Sequence, residues 1–320
     1  FVGGAKLFEA VTGYSYFVGL AIFGVAVIIF TTVGGFRGVA VTDALCGIVM
    51  LVGIVVLAAG ILIAGGGWEN IMGTIRTNHP QMLEPLSGGT MPVSLYFTQW
   101  LLVGIFTFAL PQSVVRCMGY KDTKSLRGAM IGGTIIIGAM MIGVTALGVL
   151  SAGVLTGDLA SYGGSVDNII PRTIVETLPP WLAGVAIVGP VAASISTVSS
   201  LLIASSSAII KDLWLHYADD RGQQVSDAVV ARSSQIITLG VGVIVFVLAV
   251  VPPSVIWKIN MFAFGGLETA FCWVLVGALF FKRASKVGAI ASMVGGTAVY
   301  CLCMALGFKL FGLHQIVIGI

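Results

Sequence analysis

A run of hydroxyl side chains lies in the middle of a long apolar stretch. Residues 192–200 read Ala-Ala-Ser-Ile-Ser-Thr-Val-Ser-Ser, and Pro190 stands just before them. On a helix, four residues at i, i+3, i+4 and i+7 share one face: Ala193, Ser196, Thr197 and Ser200. Hard oxygen ligands of this kind suit Na⁺, and Pro190 would free backbone carbonyls one turn earlier. The alternative is that these hydroxyls only mediate helix packing.

Two acids stand inside apolar segments, where acids are rare and costly. Asp43 lies just inside one such segment, where it either caps a helix start, pairs with Arg37, or belongs to an ion pathway. Glu268, in Gly-Gly-Leu-Glu-Thr, lies about halfway along another segment and therefore needs a partner or a cavity. We favour a functional role for Glu268.

A proline interrupts a further apolar segment at Leu110-Pro111-Gln112. Proline lacks an N–H donor and disfavours helix in the residue before it. A broken helix would leave free backbone groups beside Gln112, which suits a binding site on a discontinuous helix. An ordinary proline at a helix end is the alternative.

These residues require membrane-spanning helices to position them. Hydrophobic residues form 58% of the 320-residue chain and charged residues 9%, and the mean hydropathy is +1.06. So few charges exclude a soluble protein, and a net charge of +3 gives no indication of nucleic-acid binding. The five cysteines have no metal-ligand spacing, and no catalytic constellation is present, so an enzyme is not expected.

Apolar runs near the spanning length of about 20 residues predict eight full transmembrane helices. They are Tyr16–Val33, Val39–Ile63, Val93–Leu110, Met130–Val154, Trp181–Ile210, Ala228–Val251, Ile256–Phe281 and Val287–Leu306. The loops Gly65–Pro92 and Ser151–Pro180 could each carry a short surface helix or a lid.

Lys and Arg residues are distributed unequally between alternate loops. Eleven fall on one side and five on the other, which together are all sixteen in the chain. The richer side is predicted to be cytoplasmic, and the split supports eight spans. The sequence starts without Met and stops inside an apolar run, so we expect a fragment of a longer protein.

Several strings resemble the sodium/solute symporter family over nearly the whole chain. They are Ala192–Thr197 followed by Ser205–Leu213, Gly34–Arg37 leading to Thr42-Asp43, and Arg283–Ala289 with Gly295-Gly296. The resemblance implies that the Ser196 and Thr197 hydroxyls and the Ala193 carbonyl bind the coupling Na⁺. It also implies that Asp43 is linked to ion passage.

The family's fold is a leucine-transporter-type five-plus-five inverted repeat of helices. The resemblance thus implies one transmembrane domain over residues 1–320, truncated at both ends. Residues 1–63 would be the remainder of the first repeat, 93–281 the second repeat, and 287–320 extra C-terminal helices. Because the missing first core helix supplies the other half of the Na⁺ site, residues 1–320 alone are not expected to transport.

The implied function is Na⁺-coupled symport of a small carboxylate across a bacterial inner membrane. The substrate would lie at the midplane, with Thr107, Gln112 and Glu268 as its polar contacts. The alternatives are a relative that carries another organic acid or an amino acid, or a symporter-like sensory input module. No nucleic acid and no obligate protein partner are expected.

Overall fold

The chain folds into helices joined by short connections. The computed structural model describes residues 1–155, 157, 164–223, 225–251 and 255–320, without the side chain of Ser87, and these residues contain no strand. The α-helices are α1 (Val2–Thr12), α2 (Tyr16–Ala64), α3 (Trp68–Asn78), α4 (Leu86–Gly89), α5 (Val93–Gly104), α6 (Pro111–Met118), α7 (Thr123–Ser151), α8 (Ile169–Thr177), α9 (Pro180–Ser207), α10 (His216–Asp220), α11 (Asp227–Ala249), α12 (Ile256–Phe280), α13 (Lys286–Ala305) and α14 (Ile316–Gly319).

Within the described residues, seven helical stretches are long and apolar enough to cross a membrane. One of them, α2, has 49 residues and is interrupted at Gly35, whose φ of 55° and ψ of −162° are not helical. A positive φ is readily adopted by glycine because it lacks a Cβ atom. The segments 16–34 and 36–64 are about 28 Å and about 43 Å long, each enough for one crossing. Divided at Gly35, the seven stretches match the eight predicted spans.

Two helices extend beyond their predicted ends. Helix α7 begins at Thr123 rather than Met130, because the Asp122 carboxylate accepts a hydrogen bond from Ser125 N–H at 2.7 Å. This bond lowers the pKa of Asp122. Helix α9 passes its predicted end at Ile210 and continues as a π-helix, Ala208–Leu215. Charged side chains mark the edge of the apolar zone but do not end the backbone hydrogen-bond pattern.

The predicted break at Pro111 is present. Helix α5 ends at Gly104, a 3₁₀-helix follows over Phe106–Ala109, and α6 starts with Pro111 as its first residue. Leu110 between them is extended, with φ −67° and ψ 124°. An X–Pro step disfavours the α region before proline, so the sequence itself creates this discontinuity.

The chain forms two compact units. The first unit comprises Phe1–Asn78 and Ile131–Val255. Its largest apolar core joins α2, α3, α7, α8 and α9; the core residues are Leu57, Ile61, Ile71, Ile75, Leu147, Leu150, Ile174, Leu178, Ala183 and Ala186. Both predicted loop helices, α3 and α8, thus contribute buried residues. The Lys6 ammonium and Asp167 carboxylate, 2.6 Å apart, tie α1 to the 3₁₀-helix Val166–Asn168 before α8.

The second unit comprises His79–Met130 and Ile256–Ile320. Its core is formed by Leu102, Met261, Tyr300 and Ile316. Helix α12 packs against α13, α14, α5 and the 3₁₀-helix Phe106–Ala109. This arrangement places the interrupted segment beside the helix that carries Glu268.

Candidate functional site

The candidate Na⁺ ligands lie in the first unit, on helix α9 where it crosses α2. A Cβ atom on Gly53 would lie only 3.2 Å from the Ala186 carbonyl oxygen and 3.3 Å from Gly189 Cα. Pro190 provides no N–H for that Ala186 carbonyl, which instead faces Gly53. Small residues thus allow the two backbones to touch, as is common between membrane helices.

This crossing brings Asp43 to the hydroxyl run. Asp43 precedes Gly53 by about 15 Å of helix and Ser200 follows Gly189 by about 16 Å. The Ser200 hydroxyl lies 3.3 Å from Asp43 Oδ2 and 2.7 Å from the Ser196 carbonyl oxygen. Because the two glycines also meet, α2 and α9 run antiparallel here. The helical spacing placed Ser200 on the same face as Ser196 and Thr197 but predicted no role for it. Its i+4 spacing from Ser196 was the signal that could have indicated the bond to the Ser196 carbonyl.

The predicted ligands Ala193 and Thr197 lie side by side. The Thr197 hydroxyl donates to the Ala193 carbonyl at 2.9 Å. A hydroxyl has two acceptor lone pairs and a carbonyl oxygen also has two, so both oxygens can still bind a cation while this hydrogen bond persists. Thr197 is exposed and Ser196 is half-buried in the structure. These donors fit a hard monovalent cation.

A cavity of about 470 Å³ lies beside this site in the first unit. Its wall comes from α1, α2 and α9 and is almost wholly apolar. Thr42 and Ile195, the sequence neighbours of Asp43 and Ser196, line it together with Leu7 and Phe30. Although Thr12 and Thr42 line it, almost none of its surface is polar, so it does not offer the several oxygen ligands of a cation site.

The predicted substrate contacts all lie in the second unit. Thr107 belongs to the 3₁₀-helix that packs on both α6 and α12. Gln112 is the second residue of α6, next to the positive end of that helix dipole. Both side chains are half-buried, and neither makes a hydrogen bond to another described residue. Their polar atoms are therefore available to a ligand.

Glu268 is the one fully buried acid among the residues that the structure describes. Its side chain is 0% exposed, and neither carboxyl oxygen has a hydrogen-bond partner among the described residues. A charged side chain at the centre of a membrane helix costs about 2.5–3.5 kcal/mol. Of the two expected solutions, a partner or a cavity, the described residues provide no hydrogen-bond partner, and the carboxyl group is left for a proton or a ligand.

The sequence comparison agrees with this architecture. The sequence model described as "Sodium:solute symporter family" matches residues 1–296. The chain belongs to the sodium:solute symporter family. This family membership agrees with the prediction of a transporter rather than an enzyme, and the seven membrane-length apolar stretches among the described residues agree with that of a multi-pass membrane protein.

Individual members of the sodium:solute symporter family match nearly the whole chain. The sodium/pantothenate symporters of Haemophilus influenzae and Escherichia coli are 37% and 38% identical over 318 residues, which is 99% of this chain and 64% of each relative. The osmoregulated proline transporter of Bacillus subtilis is 27% identical and is 63% covered. The chain thus spans about 64% of the length of the relatives that it matches.

A solved structure shows the same fold. It is the substrate-bound, outward-open state of a Na⁺-coupled sialic acid symporter, with a TM-score of 0.77 and 20% sequence identity. The match covers 99% of this chain and 68% of that one. The predicted all-α symporter fold is confirmed, while the individual ligand residues remain predictions.

Proposed function

We propose that the protein is a Na⁺-coupled symporter that imports pantothenate across a bacterial inner membrane. The observation that supports this most is the 37–38% identity to two sodium/pantothenate symporters, against 25–28% to proline transporters over similar lengths. Pantothenate is a small carboxylate, in agreement with the substrate class that the sequence suggested.

In this proposal Na⁺ binds in the first unit. The Ser196 and Thr197 hydroxyls and the Ala193 carbonyl are its ligands, and Asp43 belongs to its pathway. The 2.9 Å contact between Thr197 and Ala193 supports the pairing of two of these ligands. Na⁺ would stabilise an outward-facing state that is ready for substrate. Linkage then requires Na⁺ and pantothenate to raise each other's affinity by the same factor.

Pantothenate would bind in the second unit, at Thr107, Gln112 and Glu268. The N-terminal end of α6, beside Gln112, carries the partial positive charge that attracts a carboxylate. We also propose the domain division that the resemblance implies, in which residues 1–63 belong to the first repeat, 93–281 form the second, and 287–320 lie outside the core.

The test is uptake of labelled pantothenate into proteoliposomes by the protein expressed from its complete reading frame. We expect accumulation that requires an inward Na⁺ gradient and is inhibited by unlabelled pantothenate but not by proline. Uptake that proline abolishes would favour the second candidate, an amino-acid symporter, which the proline relatives support. Tight pantothenate binding without any uptake would favour a sensory module.

A further inference from the structure

The two buried hydroxyls that flank Glu268, those of Tyr300 and Thr269, already donate to carbonyl oxygens. Glu268 lies on the buried face of α12 with Met261, Gly265 and Cys272. The Tyr300 ring packs on Gly265, and its hydroxyl donates to the Met261 carbonyl at 3.2 Å. One residue further along the helix, the Thr269 hydroxyl donates to the Gly266 carbonyl at 2.9 Å. Neither hydroxyl is left to donate to Glu268.

No cation faces Glu268 from the described elements of the second unit that pack against α12. The titratable groups on α12, α13 and α5 are Lys258, Cys272, Lys286, Tyr300, Cys301, Cys303 and Tyr96, and the 3₁₀-helix Phe106–Ala109 and α14 contribute none. Lys258 is about 15 Å away along α12, and Lys286 is exposed at the start of α13.

His314, the histidine nearest to these elements in sequence, does not supply a positive charge either. His314 precedes α14, and its Nδ1 accepts a hydrogen bond from Ile316 N–H at 3.3 Å. Burial and the neighbouring Lys309 lower the pKa of His314. A neutral imidazole cannot compensate a carboxylate charge.

A proton fits this environment better than a metal ion. An alkali cation needs several oxygen ligands at once, whereas a proton needs only one carboxyl oxygen. Glu268 is the only acid between residues 256 and 320, and the buried Tyr300 and Thr269 hydroxyls already donate to carbonyls. A buried carboxyl group without a cation takes up a proton and becomes neutral.

We propose that Glu268 is a proton-binding site: its side chain is a neutral carboxylic acid whose O–H group donates a hydrogen bond to the carboxylate of the transported anion. This inference rests on the proposed function for the identity of the anion, but not for the proton. It explains how an acid can stand at an anion site, because the neutral form attracts a carboxylate and the ionised form repels it. The proton stays on Glu268, and no bond other than this hydrogen bond forms.

The proton is tested without transport, by infrared spectroscopy of the purified protein. We expect a carbonyl-stretch band of a protonated carboxylic acid at neutral pH that shifts in heavy water and is lost in Glu268→Gln. The matched control is Glu84→Gln, which replaces an exposed acid of the same unit and should keep the band. Absence of the band from the wild type, or its persistence in Glu268→Gln, would overturn the proposal.

A second variant covers the case in which Glu268→Gln does not fold. Glu268→Asp retains an acid but moves it by one methylene, so the band should change position. An unshifted band in a folded Glu268→Asp protein would assign the proton to another residue and refute the proposal.

The role toward the anion is tested by the pH dependence of pantothenate uptake. As Glu268 ionises at alkaline pH, the wild-type KM should rise by more than about tenfold, which corresponds to about 1.4 kcal/mol. In Glu268→Gln, KM should no longer change with pH, whatever its value at neutral pH, while Glu84→Gln should behave as the wild type. An identical pH profile in Glu268→Gln would sink the donor role. If the wild type takes up no pantothenate but retains the infrared band, the proposed function fails and the proton site stands.

Discussion

The polar side chains of the two units differ in how they are satisfied. In the first unit, the Thr197 and Ser200 hydroxyls are hydrogen-bonded to carbonyls or to Asp43. In the second unit, Gln112 and Glu268 have no hydrogen-bond partner among the described residues. A buried polar group without a partner is costly, and Glu268 is fully buried, so our proposal has a proton and a ligand complete the site in the second unit. In the first unit, by contrast, the Thr197 and Ser200 hydroxyls of the proposed site are already oriented by bonds within the protein.

The largest effect is expected from Thr197→Ala. A hydrogen bond or ligand contact to a charged group contributes about 1.5–3 kcal/mol, so the Na⁺ concentration that gives half-maximal uptake should rise roughly 10- to 150-fold. The matched control is Ser199→Ala, on the same helix, whose hydroxyl is buried and donates to the Ile195 carbonyl. Unchanged Na⁺ dependence in Thr197→Ala would remove Thr197 from the site.

The next effect concerns the preformed geometry of the first unit. Gly53→Ala would place a methyl group 3.2 Å from the Ala186 carbonyl and 3.3 Å from Gly189 Cα, forcing α2 and α9 apart. Overpacking of this kind costs about 1–3 kcal/mol, and the greater helix propensity of alanine offsets about 1 kcal/mol of that cost. Thermal unfolding in detergent should show a lower melting temperature and a weaker Na⁺ stabilisation.

Gly47→Ala is the control for Gly53→Ala, because a Cβ at Gly47 meets no atom within 4 Å. Alanine also favours helix over glycine by about 1 kcal/mol, so this variant should be at least as stable as the wild type. Equal melting temperatures for the two variants would show that the glycine contact does not hold the Na⁺ site in place.

A smaller effect is expected in the second unit. Gln112→Ala removes a neutral hydrogen-bonding group, worth about 0.5–1.5 kcal/mol, so the KM for pantothenate should rise roughly two- to twelvefold. Uptake kinetics at saturating Na⁺ measure this KM, and the half-maximal Na⁺ concentration should be nearly unchanged. If each of Gln112→Ala and Thr197→Ala instead changed the half-maximal Na⁺ concentration and the KM for pantothenate by similar factors, the assignment of Na⁺ to the first unit and of substrate to the second would be wrong.

The sequence predicts the secondary structure well because membrane helices are strongly constrained. Gly35 and Pro111 interrupt helices through local backbone chemistry, and both interruptions were visible as sequence patterns. The hydrogen bond between Ser200 and Asp43 was not predictable. It joins residues far apart in the chain and depends on where Gly53 meets Gly189. Only tertiary packing fixes that crossing.

Glu268 is a second case in which the sequence locates a residue but tertiary packing decides its contacts. Its position in an apolar run predicted burial, which the structure confirms. Whether Glu268 accepts a hydrogen bond from Tyr300 or Thr269 depends on the directions of these two hydroxyls, which the sequence does not determine. Both donate to carbonyls of α12 itself. The sequence therefore located the residue, but only the packed structure shows that its carboxyl oxygens have no hydrogen-bond partner among the described residues.

The smallest effect is expected from Ser200→Ala, and it tests how far the first unit depends on its internal hydrogen bonds. Ser200 reaches both Asp43 and the Ser196 carbonyl, so its loss leaves Asp43 oriented by fewer contacts. The hydroxyl donates mainly to the Ser196 carbonyl, and its 3.3 Å contact to Asp43 is long for such a bond, so its loss should cost only about 0.5 kcal/mol, which predicts an increase of roughly twofold in the half-maximal Na⁺ concentration. Asp43→Asn should have the larger single effect because it also removes the charge.

In the double variant of Ser200→Ala and Asp43→Asn, the loss of Ser200 should add almost nothing to the effect of Asp43→Asn, since the effects of contacting residues are not additive. Fully additive effects would mean that Ser200 acts on Na⁺ without Asp43, and that the contact across α2 and α9 is not part of the site.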